Sequence, residues 1–254
     1  MCNQVGILLV LFLALVLIQF EATGSLKLPP NIKTCKKNDP QLDACIVKRA
    51  RDGIPYLVKG FPKFQIPVLD PLTITSLAVD QGNRQIGLSL KLLNAQIHGL
   101  GTADFYKSKI DLKNGHWEWY FTNPKLRVLG KYVMDGKVLI LPITGTGDGN
   151  ITLTGITSIY TLDWKLYRKS DGNIHANITN SRMDFNVTRA YFDFKNLFNG
   201  DKALGAQMNN FMNENWMEVI REFGPAVGDA FNQVFRKLIQ NTFDLVSFDQ
   251  FFPE

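Results

Sequence analysis

The sequence predicts an α+β fold in which a long, curved antiparallel β-sheet wraps around a long C-terminal α-helix. Two patterns carry this prediction. From Leu72 to about Phe194 apolar and polar residues alternate, and Thr, Ile, Val, Tyr and Trp are abundant, as in strands with one buried face. From Asp201 to Phe243 the apolar residues recur every three or four positions instead, which is helical spacing. An apolar sheet face must be covered, and that run is the chief helical element left to cover it. A chain of 254 residues, 45% hydrophobic and 20% charged, can bury such a core.

The elements follow in chain order. The apolar run Ile7 to Ile18 is short for a membrane span and fits a secretory leader, with Ala22 and Gly24 offering cleavage before Ser25. Residues 1–24 are therefore expected to be a signal peptide and residues 25–254 a single secreted domain. No later segment is apolar enough to cross a bilayer, so membrane insertion is not expected. Loss of the leader removes Cys2 and leaves Cys35 and Cys45, an even pair in an oxidising compartment, read as one disulfide worth about 2 to 3 kcal/mol. Sequons at Asn150, Asn177 and Asn186 fit the same route and make these three candidate glycosylation sites.

Asp39 and Pro40 then suit the start of a helix carrying Leu42, Ile46 and Ala50, and Asp52 suits the cap of a second short helix ended by Gly60 and Pro62. In the strand region Leu88, Leu90 and Leu92 share one face, as do Trp117, Trp119 and Phe121. The glycine-rich stretches at 147–150 and 170–173 read as hairpin turns between antiparallel neighbours. In the C-terminal run a kink or break is expected at Gly224–Pro225, because proline lacks the backbone donor and crowds the preceding turn.

The formal net charge is +5, but Lys and Arg are spread along the chain, so a solvated basic surface is favoured over a nucleic-acid interface. Enzymatic patterns are weak. His98, His116 and His175 have no partner at metal-ligand spacing, and Ser89 sits in a strand pattern without the second glycine of a nucleophile elbow. Gly145 to Asn150 leads into a strand, not a helix, so it is read as a hairpin loop and not as a phosphate cradle. Neither a catalytic residue nor a metal or other cofactor is assigned. The 18 Phe, 4 Trp and 6 Met are concentrated at the sheet–helix interface, where they form either a filled core or the wall of an apolar tunnel; Met208, Met212 and Met217 suit a wall that adapts to a flexible ligand.

Several segments together resemble the takeout and juvenile-hormone-binding protein family of insects: the two-cysteine start running into IPVLDPLTI, then LLNAQIHGL, LPITGTGDGNI and NENWMEVIREFGPAV. The resemblance covers nearly the whole mature chain. It implies a tubular lipid-binding architecture whose internal tunnel accepts isoprenoid or fatty lipids. In the family pattern the cysteine pair matches Cys35 and Cys45, and the C-terminal Asn-Trp matches Asn215 and Trp216. The mature chain lacks cysteines for the second disulfide typical of haemolymph hormone carriers, so it is more similar to the takeout branch, for which roles in feeding, clock output and chemosensation have been proposed.

The expected function is a secreted, monomeric, non-enzymatic carrier of a small hydrophobic ligand. The expected lining is Leu88, Leu90, Leu92, Trp117 and Trp119 from the strands, facing Met208, Phe211, Met212, Phe223, Phe231 and Phe235 from the helix. The alternatives are a signalling protein with a structural lipid and a cell-surface receptor, or a lipid esterase, for which no nucleophile motif is present.

Overall fold

A computed structural model describes residues 25–81 and 87–254. The expected signal peptide, with Cys2, lies outside the described residues. Helix α1 spans Leu42–Leu57, and strands follow at Leu72–Gln81 (β1), Leu88–His98 (β2), Asp104–Asp111 (β3), His116–Val138 (β4), Leu141–Arg168 (β5), Ile174–Asn186 (β6) and Arg189–Phe194 (β7). Helices α2 (Lys202–Glu214), α3 (Trp216–Leu245) and α4 (Phe248–Phe251) complete the chain.

The sheet is antiparallel throughout and built on the long β4–β5 pair, of 23 and 28 residues. One half of β4 pairs with β2 and through it with β1, while the other half pairs with β3. Strand β5 is likewise shared along its other edge, its first half by β7 and its second by β6. Two apolar clusters therefore lie along one sheet. The first gathers β1, β2, β7, α2 and the start of α3, and the second gathers β3, β6, α1, α4 and the end of α3.

The N-terminal segment is fixed by the Cys35–Cys45 disulfide, and the Leu26 N–H donates to the Leu245 carbonyl at the end of α3. Asp39 accepts from the Gln41 N–H just ahead of α1, so it organises the approach to the helix and does not cap it. The second short helix expected after Asp52 is part of α1, which continues through Pro55 to Leu57. The carbonyl freed by Pro55 belongs to Arg51, an exposed residue that water can reach.

The stretch 145–150 corrects the expected hairpin loop. It lies inside β5, paired with β4 from Gly145↔Met134 to Asn150↔Leu129, and the turn between these strands is at 139–140. Its glycines admit a neighbouring backbone: a Cβ on Gly145 would stand 2.9 Å from Cα of Leu197, and one on Gly147 would stand 2.2 Å from the Lys195 carbonyl oxygen. The turn at 170–173 joins β5 to β6 as expected.

Of the kink or break expected at Gly224–Pro225, a break does not occur there. Helix α3 passes through Gly224–Pro225, and the interruption is at Asn215, whose side-chain amide donates to the Phe211 carbonyl at 2.8 Å in competition with the helical pattern. Glycine before Pro225 removes the Cβ that would collide with the proline ring, and the carbonyl left free four residues back is on exposed Arg221.

Side chains of these helices bond the free strand edges. On α2, the Asn209 amide pairs with N–H and C=O of Phe194, and Asn213 does the same with Phe192, at 2.8–2.9 Å. On α3, Asn232, Arg236 and Gln240 serve β6 at Ser181, Ile178 and Ala176. One turn before Asn232, Gly228 brings α3 so close that a Cβ there would lie 2.6 Å from the Met183 carbonyl oxygen.

Candidate functional site: an apolar cavity between sheet and helix

The first cluster encloses a cavity of about 90 Å³. Its wall is apolar: Leu77 and Val79 of β1, Leu88, Leu90 and Leu92 of β2, residues including Val128, Met134 and Val138 of β4, and Phe192 and Phe194 of β7, faced by Met212, Val219, Phe223, Val227 and Phe231 from the helices. Alternation aims the β2 side chains inward, with Leu88, Leu90 and Leu92 buried and Ser89 and Lys91 exposed. Register sets them against Gly136, Met134 and Tyr132 of β4. A chamber without a hydrogen-bonding side chain in its wall suits hydrocarbon and rejects charge.

Six residues of the expected lining meet here: Leu88, Leu90, Leu92, Met212, Phe223 and Phe231. Met208 is buried and Phe211 half-buried in the same cluster, but neither forms the wall. Trp117, Trp119 and Phe235 belong to the second cluster. Their inward direction follows the alternation, but position along the strand separates them. Trp119 is fifteen residues from Met134 on β4, about 50 Å of extended chain at 3.3 Å per residue. Met217, expected to adapt to ligand, is 59% exposed because it lies on the outer side of α3. Phe185, Phe192, Phe194 and Met134 were not expected in the wall; they lie on inward strand positions, the signal that also marks Leu88 to Leu92.

The second cluster is aromatic and closely packed, with Trp117 against Trp119 at 4.8 Å and against Phe252 of the C-terminal segment at 5.7 Å. Polar atoms are buried within it. Trp117 donates from its indole to Ser108 Oγ at 2.9 Å, whereas the indole nitrogen of Trp119 and the hydroxyl of Tyr160 have no hydrogen-bond partner. Burial raises the Tyr160 hydroxyl above the usual phenol range, an effect opposed by the neighbouring Ser181 hydroxyl, although the two do not meet in hydrogen-bonding geometry. His175, wholly buried, lies 2.8 Å from the Phe243 carbonyl and 2.9 Å from Asp171, a structural position that ties β6 to the end of α3.

The remaining polar candidates lie on the surface. Ser89 donates to Asp80 at 2.7 Å and is an exposed strand residue. His116 bridges Asp163 and Glu118, and the bond to Asp163 chiefly raises its pKa. Among the described residues no group of three or more His, Cys, Asp or Glu is placed to hold a metal, and no helix is long and apolar enough to cross a membrane. Asn177 and Asn186 are exposed, while Asn150 is half-buried and accepts from Arg127.

Known proteins place this geometry. The sequence profile described as haemolymph juvenile hormone binding protein (JHBP) matches residues 8–253. The crystal structure of Epiphyas postvittana takeout 1 superposes with a TM-score of 0.76 at 29% identity, covering 88% of this chain and 100% of that one. The circadian clock-controlled protein daywake of Drosophila yakuba is 27% identical over 231 residues, 88% of each chain. Its Drosophila melanogaster counterpart is 26% identical over 233 residues, covering 89% of this chain and 88% of the relative. The chain belongs to the haemolymph juvenile hormone binding protein (JHBP) family.

Proposed function

We propose that the protein is a secreted, monomeric, non-enzymatic carrier that holds a small hydrophobic ligand, isoprenoid or fatty, in the cavity between α3 and the β1–β2–β4–β5–β7 face. The observation that carries this reading is unfilled space with a wholly apolar wall in a chain of this family. At about 90 Å³ the cavity is smaller than an engineered apolar cavity of about 150 Å³ that takes benzene. A long ligand must therefore displace side chains, and the unbranched thioethers of Met134 and Met212 are suited to yield.

Burial contributes about 0.8 kcal/mol per methylene, so a dozen methylenes supply roughly 10 kcal/mol before association costs of about 4–15 kcal/mol are subtracted. Useful affinity thus requires a long chain. The apolar wall, which offers nothing to orient a reacting group, supports carriage over ester hydrolysis. The daywake relatives are named as clock-controlled, which makes a daily rhythm in abundance a reasonable property to seek in this protein.

Organic extraction of protein purified from its source, followed by mass spectrometry, is expected to release a hydrophobic compound. The same protein should exchange that compound for a fluorescent fatty analogue. An empty extract together with no uptake of the analogue would overturn the carrier reading, and a compound that is extracted but never exchanges would make it a structural lipid.

A further inference from the structure

We propose that a groove on the outer face of the sheet, crossing β2, β4, β5 and β7, is a second binding site and takes a neutral oligosaccharide. Its volume of about 490 Å³ falls within the range of about 300–1,000 Å³ usual for small-molecule sites. The groove is separate from the apolar cavity: Val128 is in the cavity wall, and alternation along β4 turns its neighbour Leu129 to the opposite face, into the groove. The proposal is therefore independent of the carrier reading.

Local sequence shapes the trough. Strand β2 carries a bulge in which Asn94 and Ala95 oppose the single residue Gly130 of β4, and Asn94 takes a left-handed φ of 48°. Gly130 in turn pairs with Gly149 of β5. A Cβ on Gly130 would stand 3.1 Å from Cα of Ala95, so the bulge requires glycine there. A bulge and a glycine pair on one line across the strands bend and twist the sheet, and the groove lies over that line.

Register sets the lining in rows. Gln96, Leu129, Asn150 and Asp193 are successive partners on β2, β4, β5 and β7, so a leucine lies between two carboxamides and a carboxylate follows. The next row runs from Leu93 through Lys131 and Asp148 to Lys195, whose N–H donates to the Asp148 carbonyl at 2.9 Å. Lys131 pairs with Asp148 at 2.5 Å and Lys195 with Asp193 at 2.8 Å. Arg127 Nε donates to Asn150 Oδ1 at 3.2 Å. Among the described residues, the Gln96 amide, Nδ2 of Asn150 and the terminal nitrogens of Arg127 have no protein partner, so they are free to meet a ligand.

The chemistry of the walls selects the ligand. Asp148 and Asp193 oppose an anion, and Lys131 and Lys195 oppose a cation, so a charged molecule gains little here. Donors and acceptors are interleaved across four strands, about 14 Å at 4.8 Å per strand. A sugar ring presents hydroxyls that both donate and accept along its edge, and a C–H face that suits the half-buried Leu93 and Leu129. Several such rings in a chain can follow the groove. Asn150 is also a sequon residue, and a glycan attached to it would fill the same space.

The test is calorimetric titration of the full mature protein, expressed through a secretory pathway, with maltotriose, mannotriose and chitotriose, and with sulfate as the anionic arm. At least one trisaccharide is expected to bind at a single site, and sulfate to leave that binding unchanged. Gln96→Ala and Arg127→Ala alter exposed side chains and should each weaken it about five- to tenfold, with the melting temperature of the ligand-free protein close to that of wild type. Failure of all three sugars to bind, or binding that neither variant weakens, would overturn the proposal. Competition by sulfate would also overturn it and make Arg127 part of an anion site. Binding that appears only in Thr152→Ala, which removes the Asn150 sequon, would overturn it in favour of a groove occupied by the protein's own glycan. None of these outcomes bears on the inner cavity.

Discussion

At Glu118 three neighbours favour the charged form. The Tyr120 hydroxyl donates to its carboxylate, the Lys109 ammonium lies 2.9 Å away and His116 3.5 Å away, and together they hold its pKa at about 2 against a usual 4.5. Because the folded value lies below the unfolded one, this stabilisation is complete above the usual value and fades as pH falls toward about 2. The urea midpoints of wild type and Glu118→Gln are accordingly expected to differ at about pH 5 and to converge at about pH 2. His116 has the opposite sign: its raised pKa stabilises below the usual 6.5 and ceases to do so as pH rises through the folded value. A second residue-scale prediction concerns the sequons. Glycans are expected at exposed Asn177 and Asn186, whereas one on Asn150 would have to displace the Arg127 contact. Replacing Asn177 and Asn186 together with Gln should abolish the glycosidase-sensitive mass of the protein expressed through a secretory pathway. At this scale the sequence shows which way a side chain points, as at Leu90 and Ser89, because alternation fixes direction. It does not show partners such as Asp163 for His116, which come from a register between residues far apart in the chain.

The helices act on the sheet edges through a spacing that is visible in the sequence yet easily read as mere polarity. Asn209 and Asn213, and then Asn232, Arg236 and Gln240, recur every four residues and so form lines along their helices. Their role as substitute strands appears only once the free edges of β7 and β6 lie beside them. Asn213→Ala strips a partner from both the N–H and the C=O of Phe192, and two lost hydrogen bonds at about 0.5–1.5 kcal/mol each predict a loss of about 1–3 kcal/mol in chemical denaturation. Gly228 continues that four-residue line where α3 touches β6 directly. Gly228→Ala would gain about 1 kcal/mol of helix propensity, but its Cβ would stand 2.6 Å from a backbone oxygen that cannot rotate away. The resulting displacement, typically about 1–3 kcal/mol for overpacking, should leave the variant less stable than wild type in thermal unfolding. No break occurs at Gly224–Pro225: the carbonyl that loses its donor is on exposed Arg221, where water can reach it, and the residue ahead of the proline has no Cβ for the ring to crowd.

Over the whole molecule, periodicity predicts a sheet around a helix because both elements must bury one face, and it cannot predict whether their side chains fill the space between them. Leu88, Leu90, Leu92, Phe223 and Phe231 would show the same spacing in a solid core. What leaves room is the fit of large surfaces contributed by six strands and two helices, and that property belongs to no window of sequence. The same limit explains why Trp117 and Trp119 were grouped with the leucines: one strand serves two clusters, and alternation carries no information on position along it. An unfilled cavity has a cost. At about 24 cal/mol per Å³, the 90 Å³ here correspond to about 2 kcal/mol, which a bound hydrocarbon or a larger side chain can recover. Val219 on α3 and Leu92 on β2, both buried in the wall, are positions from which to fill the space. Val219→Phe and Leu92→Phe are each expected to raise the melting temperature of the ligand-free protein, by at most about 4–8 °C for a full 2 kcal/mol. Each should also lose the further rise that a fatty ligand gives the wild type, since filling and binding compete for one volume. If the variants melt higher and still gain the full ligand-induced shift, the ligand lies elsewhere than between these two elements; if they melt lower and bind nothing, the chamber is too rigid to accept the ring, and Val219→Leu, with fewer added atoms, should then recover stability while still blunting the shift.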